Sequence, residues 1–235
     1  MFNAQLSVQT VPLFDQHQCY VVDDALAEPE RWVQLAAQHR CEFVMTSSNA
    51  YPGPELALPE PIADALDECF ARMVRARLGA RRTLRCYARL AMVTLRPENL
   101  LPRQWICHRD RFNVPPEQSV AASVLYLFRD PALGGTNFYR ARRQDGLEQM
   151  VHDSGVLAAN EFGARYGIER GYMTESNAWF EKMCTIAPRF NRLIFYDGSL
   201  FHCGDITAPE LMQADPSEGR LTLNGFFTCR RSVQV

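Results

Sequence analysis

The chain has 235 residues and a formal net charge of −2, and 47% of its residues are hydrophobic. A chain of this length and composition can bury one sizeable core, so we expect a single domain over residues 1–235. Its basic residues are arginines spread along the sequence, and Lys182 is the single lysine. Because no dense basic block is present, the composition argues against a nucleic-acid partner.

Cysteine usage and the N-terminal sequence predict the cellular compartment. The eight cysteines include no Cys-x-x-Cys pair and no nearby histidine cluster, which is typical of reduced, buried thiols. Residues 1–14 lack a basic start followed by an apolar stretch, and no run approaches the roughly 18 apolar residues of a membrane span. We therefore expect a soluble, cytoplasmic protein with no membrane partner, and the oligomeric state stays open.

Two helices are predicted in the first part of the chain. Pro29, between two glutamates, is typical of a first helical turn, and this short helix should end near Arg40. From Pro61 onward, apolar residues recur at the three-four spacing of one helical face, and Gly79 follows as a typical C-terminal cap. We expect residues 1–80 to form a helical brace outside the rest of the domain.

The hydrophobic pattern changes to alternation at Leu84, which is typical of strands with one buried face. Further strands are predicted at residues 104–108, 120–128, 136–140, 191–196, 199–202 and 220–229. Helices followed by at least seven short strands predict an α+β chain. Its residues 84–235 should form a barrel or a two-sheet jelly roll.

A long insertion at residues 141–188 interrupts the predicted strands. It contains a predicted short helix at 160–166 and the side chains of His152, Tyr172, Trp179 and Phe180. Segments of this length between strands are commonly lids or binding loops. We expect the insertion to cover the mouth of a site and to select the substrate. The alternative is a surface flap whose aromatic residues pack on the outer wall.

Two short segments far apart in the chain carry a possible metal-binding set. His108-Arg109-Asp110 supplies an imidazole and a carboxylate, and His202 supplies a second imidazole. Two histidines and one carboxylate can hold a non-haem ferrous ion while leaving its opposite face open. Side chains two apart on a strand share a face, so His108 and Asp110 can both reach a metal while Arg109 points away. This pattern predicts an iron oxygenase.

The residues around this set form an ordered series of segments. They are His108-x-Asp110, an apolar strand ending in Tyr126-Leu127, Gly134-Gly135-Thr136-Asn137-Phe138, residues 191–198 leading into His202, and residues 219–227. In this order, residues 103–229 resemble the prolyl-hydroxylase-like branch of the iron(II)- and 2-oxoglutarate-dependent oxygenases. The resemblance implies a double-stranded β-helix of jelly-roll type, with Fe(II) bound by His108, Asp110 and His202, and 2-oxoglutarate as cosubstrate.

The resemblance also implies which residues bind the cosubstrate. In the family, a basic residue on the last strand pairs with the distal carboxylate of 2-oxoglutarate, which matches Arg220 here. Thr222 shares a strand face with Arg220 and offers a hydroxyl to the same carboxylate. Tyr126 occupies a position where the family often places a phenol that reaches the cosubstrate. The alternative for Tyr126 is a core tyrosine.

Two alternatives remain at this stage. The 18-residue gap between His202 and Arg220 leaves Arg230 or Arg231 as alternative anchors for the cosubstrate. A second functional hypothesis is a cupin-like module that binds a metal or ligand without turnover, or that uses no oxoacid. The first hypothesis is an Fe(II)- and 2-oxoglutarate-dependent dioxygenase that hydroxylates a small-molecule, amino-acid or peptidyl substrate.

Overall fold

The computed structural model describes residues 1–46, 50–110 and 114–232. The helices are α1 (Pro29–Gln38), α2 (Glu60–Met73), α3 (Leu147–Asp153) and α4 (Ala159–Tyr166). The strands are β1 (Gln9–Pro12), β2 (Gln18–Val22), β3 (Glu55–Ala57), β4 (Ala80–Val93), β5 (Gln118–Tyr126), β6 (Thr136–Ala141), β7 (Phe180–Ile186), β8 (Leu193–Asp197), β9 (Phe201–Gly204) and β10 (Arg220–Arg231). Every pairing between these strands is antiparallel, so the predicted α+β class is confirmed.

Both helices predicted in the first part of the chain are present. Helix α1 begins at Pro29, whose missing N–H costs nothing in a first turn. Helix α2 is followed by a short 3-10 turn that ends at Gly79, where φ is +67°, a conformation that favours glycine. Leu66 and Phe70 of α2 are fully buried against the larger sheet. Among the described helices, none is long and apolar enough to cross a membrane.

The larger sheet has seven strands in the order β1-β2-β8-β5-β10-β4-β3. Strand β10 lies between β5 and β4, and its alternate side chains face opposite sides of the sheet. Leu221 and Leu223 face α1 and α2 within the main hydrophobic core. Arg220, Thr222 and Asn224 line a cavity on the other face. This alternation positions the polar residues of the candidate site.

The prediction that residues 1–80 form a purely helical brace is wrong in one respect. Three strands lie there, and they extend both edges of the larger sheet: β1 and β2 pair beside β8, and β3 pairs beside β4. These strands have three to five residues each. Segments so short depend on their partners for stability, and the partners lie far along the chain.

The smaller sheet has three strands in the order β7-β6-β9. It packs on the cavity face of the larger sheet through a second hydrophobic core. In that core, Phe138 and Ile186 of the smaller sheet join Tyr126, Ile194 and Tyr196 of the larger one. The cavity therefore lies between two sheets.

The strand predicted at residues 104–108 is absent. A 3-10 turn at Pro102–Gln104 occupies its start, and the indole Nε1 of Trp105 donates back to the carbonyl of Leu100 at 3.1 Å. A single antiparallel bridge then forms between His108 and His202. Proline fixes φ and donates no backbone hydrogen bond, which favours the turn at this position.

The insertion at residues 141–188 is part of the folded domain. It contains α3, α4 and β7, and β7 pairs along its length with β6. A third hydrophobic core joins Met150, Phe162 and Phe180 of the insertion to Trp105 and Tyr139. Deleting the whole segment would remove a strand of the smaller sheet, so its role requires point substitutions.

Candidate metal centre and cavity

Backbone pairing brings the His108-Arg109-Asp110 segment to β9. The amide of His108 donates to the carbonyl of His202 at 3.0 Å, and the amide of His202 donates back to the carbonyl of His108 at 2.9 Å. The amide of Asp110 donates to the carbonyl of Gly198 at 2.8 Å. His108 and Asp110 thus face the cavity although they do not lie on a regular strand. Arg109 points elsewhere, because its guanidinium lies 4.6 Å from the Phe201 ring centre and pairs with a glutamate of α3.

His202 is held in one orientation by a neighbouring carbonyl. Its Nδ1 lies 2.9 Å from the carbonyl oxygen of Leu200, which leaves Nε2 for a ligand on the cavity side. The Nε2 atom lies 3.3 Å from Oδ2 of Asp110, and the Nε2 of His108 lies 3.7 Å from Oδ1 of the same carboxylate. The three side chains bring one ligand atom each within 4.8 Å of one another.

The unpaired atoms of this group fit a metal ion. Oδ2 of Asp110 is buried and accepts no well-directed hydrogen bond within the described residues. Gly198 packs closely beside it: a Cβ there would lie 3.3 Å from the Cβ of Asp110 and 3.1 Å from the carbonyl oxygen of Val120, so a side chain would require its neighbours to shift. Two imidazoles and one carboxylate on one side of a cavity form the open ligand set typical of non-haem iron(II).

Electrostatics favour the metal-binding protonation state of His108 and Asp110, but not of His202. Burial and the neighbouring His202 lower the pKa of His108 to about 4, so its imidazole is neutral at neutral pH. Burial would raise the pKa of Asp110, but the two histidines outweigh it and hold that pKa below its usual value. A neutral imidazole and an ionised carboxylate are the forms that bind metals. Burial would lower the pKa of His202, but the Asp110 carboxylate outweighs it and raises that pKa, so a metal would displace a proton from this ring.

Arg220 lines the same cavity and is almost completely buried. Its Nε donates to the carbonyl of Gly134 at 3.1 Å and its Nη2 to the carbonyl of Gly135 at 2.8 Å. No carboxylate among the described residues lies within ion-pair distance of it. A buried guanidinium without a counter-ion is a site for an anionic ligand.

The glycine pair therefore does more than form the predicted bend. At Gly134, φ is +81° and a Cβ would lie 1.9 Å from the carbonyl oxygen of Asp205. At Gly135, a Cβ would lie 2.0 Å from the carbonyl oxygen of Ile186. Both positions require glycine, and the tight path directs two carbonyl groups at the Arg220 side chain.

The other predicted cosubstrate residues are placed differently from one another. Thr222 lines the cavity on the same face of β10 as Arg220. Tyr126 is fully buried in the second core, and its hydroxyl lies 2.8 Å from Oγ1 of Thr136. Thr136 lines the cavity, whereas Tyr126 lies behind it. Any effect of Tyr126 on a ligand would thus pass through Thr136.

Arg230 and Arg231, the alternative anchors, lie at the far end of β10. Both are exposed, and Nε of Arg231 donates to the carbonyl of Gln118 at 3.0 Å. Neither lines the cavity. Arg220 is thus the arginine of β10 that faces the candidate metal centre.

A protein-family model matches almost the whole chain. The model described as "Family of unknown function (DUF6445)" matches residues 4–227. The chain belongs to DUF6445. No curated protein sequence is significantly similar to this DUF6445 chain.

Solved structures share the fold of this DUF6445 chain. One is the non-heme alpha ketoglutarate dependent carbocyclase SnoK from nogalamycin biosynthesis, at 13% identity and a TM-score of 0.51, covering 91% of this chain and 82% of SnoK. Another is HygX from Streptomyces hygroscopicus with nickel and 2-oxoglutarate bound, at 12% identity and a TM-score of 0.50, covering 92% of this chain and 84% of HygX. At these identities the likeness shows the fold.

The insertion contributes to the cavity through Tyr172, which is one of the four residues singled out in the sequence, and through Met173, which is not. The Tyr172 hydroxyl is fixed by a 2.7 Å hydrogen bond to the carbonyl of Leu95. Trp179 does not line the cavity: its Nε1 donates to the carbonyl of Tyr166 at 3.0 Å. His152 also lies outside the cavity wall. The prediction that Trp179 covers the site is wrong, because the indole is a packing group of the third core.

The cavity also contains residues that the sequence did not indicate, and two polar examples lie on neighbouring strands. Arg89 of β4 and Asn224 of β10 are register partners, and both line the cavity. The spacing of Asn224 from Thr222 on one strand face could have indicated the asparagine. Arg89 offered no such signal, because only the pairing of β4 with β10 brings it to the site.

Proposed function

We propose that the chain is an Fe(II)- and 2-oxoglutarate-dependent dioxygenase of the prolyl-hydroxylase-like type, built on a double-stranded β-helix. It would hydroxylate a small-molecule, amino-acid or peptidyl substrate. The observation that carries the proposal is one cavity containing both a His108-Asp110-His202 group and a buried, unpaired Arg220. The fold shared with SnoK, described as alpha ketoglutarate dependent, and with 2-oxoglutarate-bound HygX supports it.

Each residue of the site has a distinct task in this proposal. His108, Asp110 and His202 would hold Fe(II) from one side and leave the cavity side open. The guanidinium of Arg220 would pair with the distal carboxylate of 2-oxoglutarate, and the hydroxyl of Thr222 would donate to the same group. The oxidising power for C–H hydroxylation belongs to the bound metal and cosubstrate, while the chain positions the reactants.

The insertion would complete the substrate side of the cavity. Tyr172 and Met173 form a wall opposite the strands of the larger sheet. Because the backbone carbonyl of Met173 accepts a 2.9 Å hydrogen bond from the hydroxyl of Tyr139, this wall is fixed to the smaller sheet. We assign substrate contact to these two residues.

The alternative is a cupin-like module that binds a metal or ligand without turnover. Such a module has no need of a buried guanidinium in the cavity that holds the metal, whereas a guanidinium suits the distal carboxylate of a dicarboxylate cosubstrate. The presence of Arg220 in the cavity therefore favours the enzyme.

We also propose a cytoplasmic location. All eight cysteines are free thiols, which is typical of proteins in a reducing compartment.

One experiment tests the metal and the cosubstrate together. Under anaerobic conditions, Fe(II)-loaded protein titrated with 2-oxoglutarate should develop the weak visible metal-to-ligand charge-transfer band of a chelated complex. Arg220→Ala should shift this titration to higher 2-oxoglutarate concentrations. If Fe(II) binds stoichiometrically but no band appears, the dioxygenase proposal fails and the binding-module alternative gains support.

A further inference from the structure

A second polar site lies in the cavity, away from Arg220. Arg89 and Asn224 face each other across the β4–β10 pair. Arg220 and Thr222 lie nearer the start of β10 on the same face, so about 13 Å of strand separates Arg220 from Asn224 at roughly 3.3 Å per residue. A cosubstrate held at Arg220 would leave the Arg89–Asn224 end for another molecule.

The charge of Arg89 is already engaged. Its Nη1 donates to Oε2 of Glu55 at 2.7 Å, and both side chains are largely buried. The guanidinium lies 4.8 Å from the Phe226 ring centre and 5.7 Å from that of Tyr51. The ion pair and the two rings hold the guanidinium plane in one orientation.

One donor and one acceptor of this site have no partner. Nε of Arg89 is buried and donates no hydrogen bond, and Oδ1 of Asn224 is buried and accepts none within the described residues. Native structures seldom leave such groups unpaired, and functional sites are a common reason when they do. Both residues line the cavity, so one N–H and one C=O without partners lie in its wall.

We infer that this site binds the primary substrate through an uncharged carboxamide or peptide amide. The amide carbonyl accepts from Nε of Arg89, and the amide N–H donates to Oδ1 of Asn224. In the orientation that the structure gives the Asn224 amide, a carboxylate, which offers acceptors alone, would bring an oxygen against Oδ1. The aromatic rings beside the guanidinium suit the flat apolar flank of such a group. This inference rests on the proposed function, because it names the substrate class of that enzyme.

A matched probe pair tests the inference without the natural substrate. Phenylacetamide and phenylacetate have nearly the same shape and differ in the donor and the charge. Saturation-transfer NMR titrations would be run on the metal-free protein and on protein loaded with Zn(II) and 2-oxoglutarate. We expect phenylacetamide to bind at least tenfold more tightly than phenylacetate in both forms. Equal affinities, tighter phenylacetate binding or no binding of either probe would overturn the inference.

Variants attribute the selectivity to the two residues. Asn224→Ala should weaken phenylacetamide at least tenfold, and Arg89→Lys, which keeps a positive charge beside Glu55 but loses Nε–H, should do the same. Ser123→Ala is the control. Ser123 lines the same cavity, and its hydroxyl is also buried and unpaired within the described residues. This hydroxyl is directed at the Cβ position of Gly225, 2.6 Å away, where Leu66 of α2 also packs. Unchanged phenylacetamide affinity in folded Asn224→Ala would defeat the inference.

The charge-transfer titration separates the two proposals. Asn224→Ala and Arg89→Lys should keep the band that Fe(II) and 2-oxoglutarate produce, since neither residue binds these groups in our assignment. If the charge-transfer band appears but the protein does not prefer phenylacetamide, the dioxygenase proposal is retained and the amide substrate class is rejected. Amide selectivity without a band would reject the dioxygenase and keep a ligand site.

Discussion

Arg220, which is buried, and Arg89, which is largely buried, line one cavity from different positions along its strands, and their surroundings differ. Arg220 meets two backbone carbonyls and no carboxylate among the described residues, whereas Arg89 pairs with Glu55 at 2.7 Å. The charge of Arg220 therefore has no counter-ion, whereas the charge of Arg89 is neutralised by Glu55 and only its Nε–H lacks a hydrogen-bond acceptor. The pairing of a buried guanidinium thus indicates whether it serves a charged ligand or a neutral one.

The largest expected effect is the loss of metal binding. His202→Ala should abolish stoichiometric Fe(II) binding, because one of three ligands is lost. The His202 ring also packs against the Tyr196 ring at 4.7 Å between ring centres, so a urea unfolding curve must show that the variant is folded. Asp110→Ala should act in the same direction. Equilibrium dialysis measures the iron bound. His152→Ala is the control, since His152 lies outside the cavity, and full occupancy in His202→Ala would refute the ligand assignment.

The second effect concerns the Arg220 end alone. Arg220→Ala should weaken 2-oxoglutarate at least about tenfold, because a charge-assisted contact in a buried site contributes about 1.5–3 kcal/mol. Iron affinity should change little. The charge-transfer titration measures both quantities. Arg230→Ala serves as the matched variant on the same strand. A loss of affinity there, with none in Arg220→Ala, would move the anchor.

The third prediction compares the two ends by stability. Glu55→Gln should lower the free energy of unfolding by about 3 kcal/mol, because it leaves Arg89 buried beside a neutral group. Arg220→Met should lower the free energy of unfolding by a smaller amount. The loss of the Arg220 hydrogen bonds is offset because a buried charge without a counter-ion is removed. Urea unfolding of the metal-free variants measures both. A larger loss for Arg220→Met would contradict the contrast between the two arginines.

The smallest expected effect on stability comes from the ion pair of a third, more exposed arginine, with which the other two arginines can be compared. Arg192 donates through Nε to Asp23 at 2.7 Å, and this hydrogen bond holds the pKa of the Asp23 carboxyl below its usual value. A carboxyl group whose pKa is lowered by folding stabilises the protein at pH values above its unfolded-state pKa. This stabilisation is lost as the pH falls through the folded-state pKa. Asp23→Asn should therefore remove about 1 kcal/mol at pH 7 and almost nothing near pH 2. Urea midpoints across this pH range test it, and an equal loss at both pH values would exclude the ion pair as the cause.

The two ends also differ in how far sequence could predict them. Arg220 could be identified because it opens an apolar strand within an ordered series of segments, and His108 and Asp110 because their spacing places both side chains on one side. Arg89 could not, since its position depends on the register between β4 and β10. Local patterns record which face a residue takes, but the pairing of strands far apart in sequence sets which residues meet.

Other differences have similar physical causes. Residues 104–108 have strand-like composition, yet a proline-led turn and the Trp105 indole bond fold them back. Strand β7 lies within the insertion and was not predicted, because its stability comes from pairing with β6. Trp179 was expected near the site on aromatic character alone, which does not distinguish a core residue from a substrate contact.

Strand β10 fixes the distance between the polar residues at its start and Asn224 further along. Arg220, Thr222 and Asn224 occupy consecutive positions on one face, so a single-residue insertion between them would turn part of the set toward α2. Substitution at Asn224 could instead alter substrate choice while leaving the Arg220 anchor in place. An insertion would therefore separate the two binding ends, whereas a substitution at Asn224 changes one end and keeps the register of the strand.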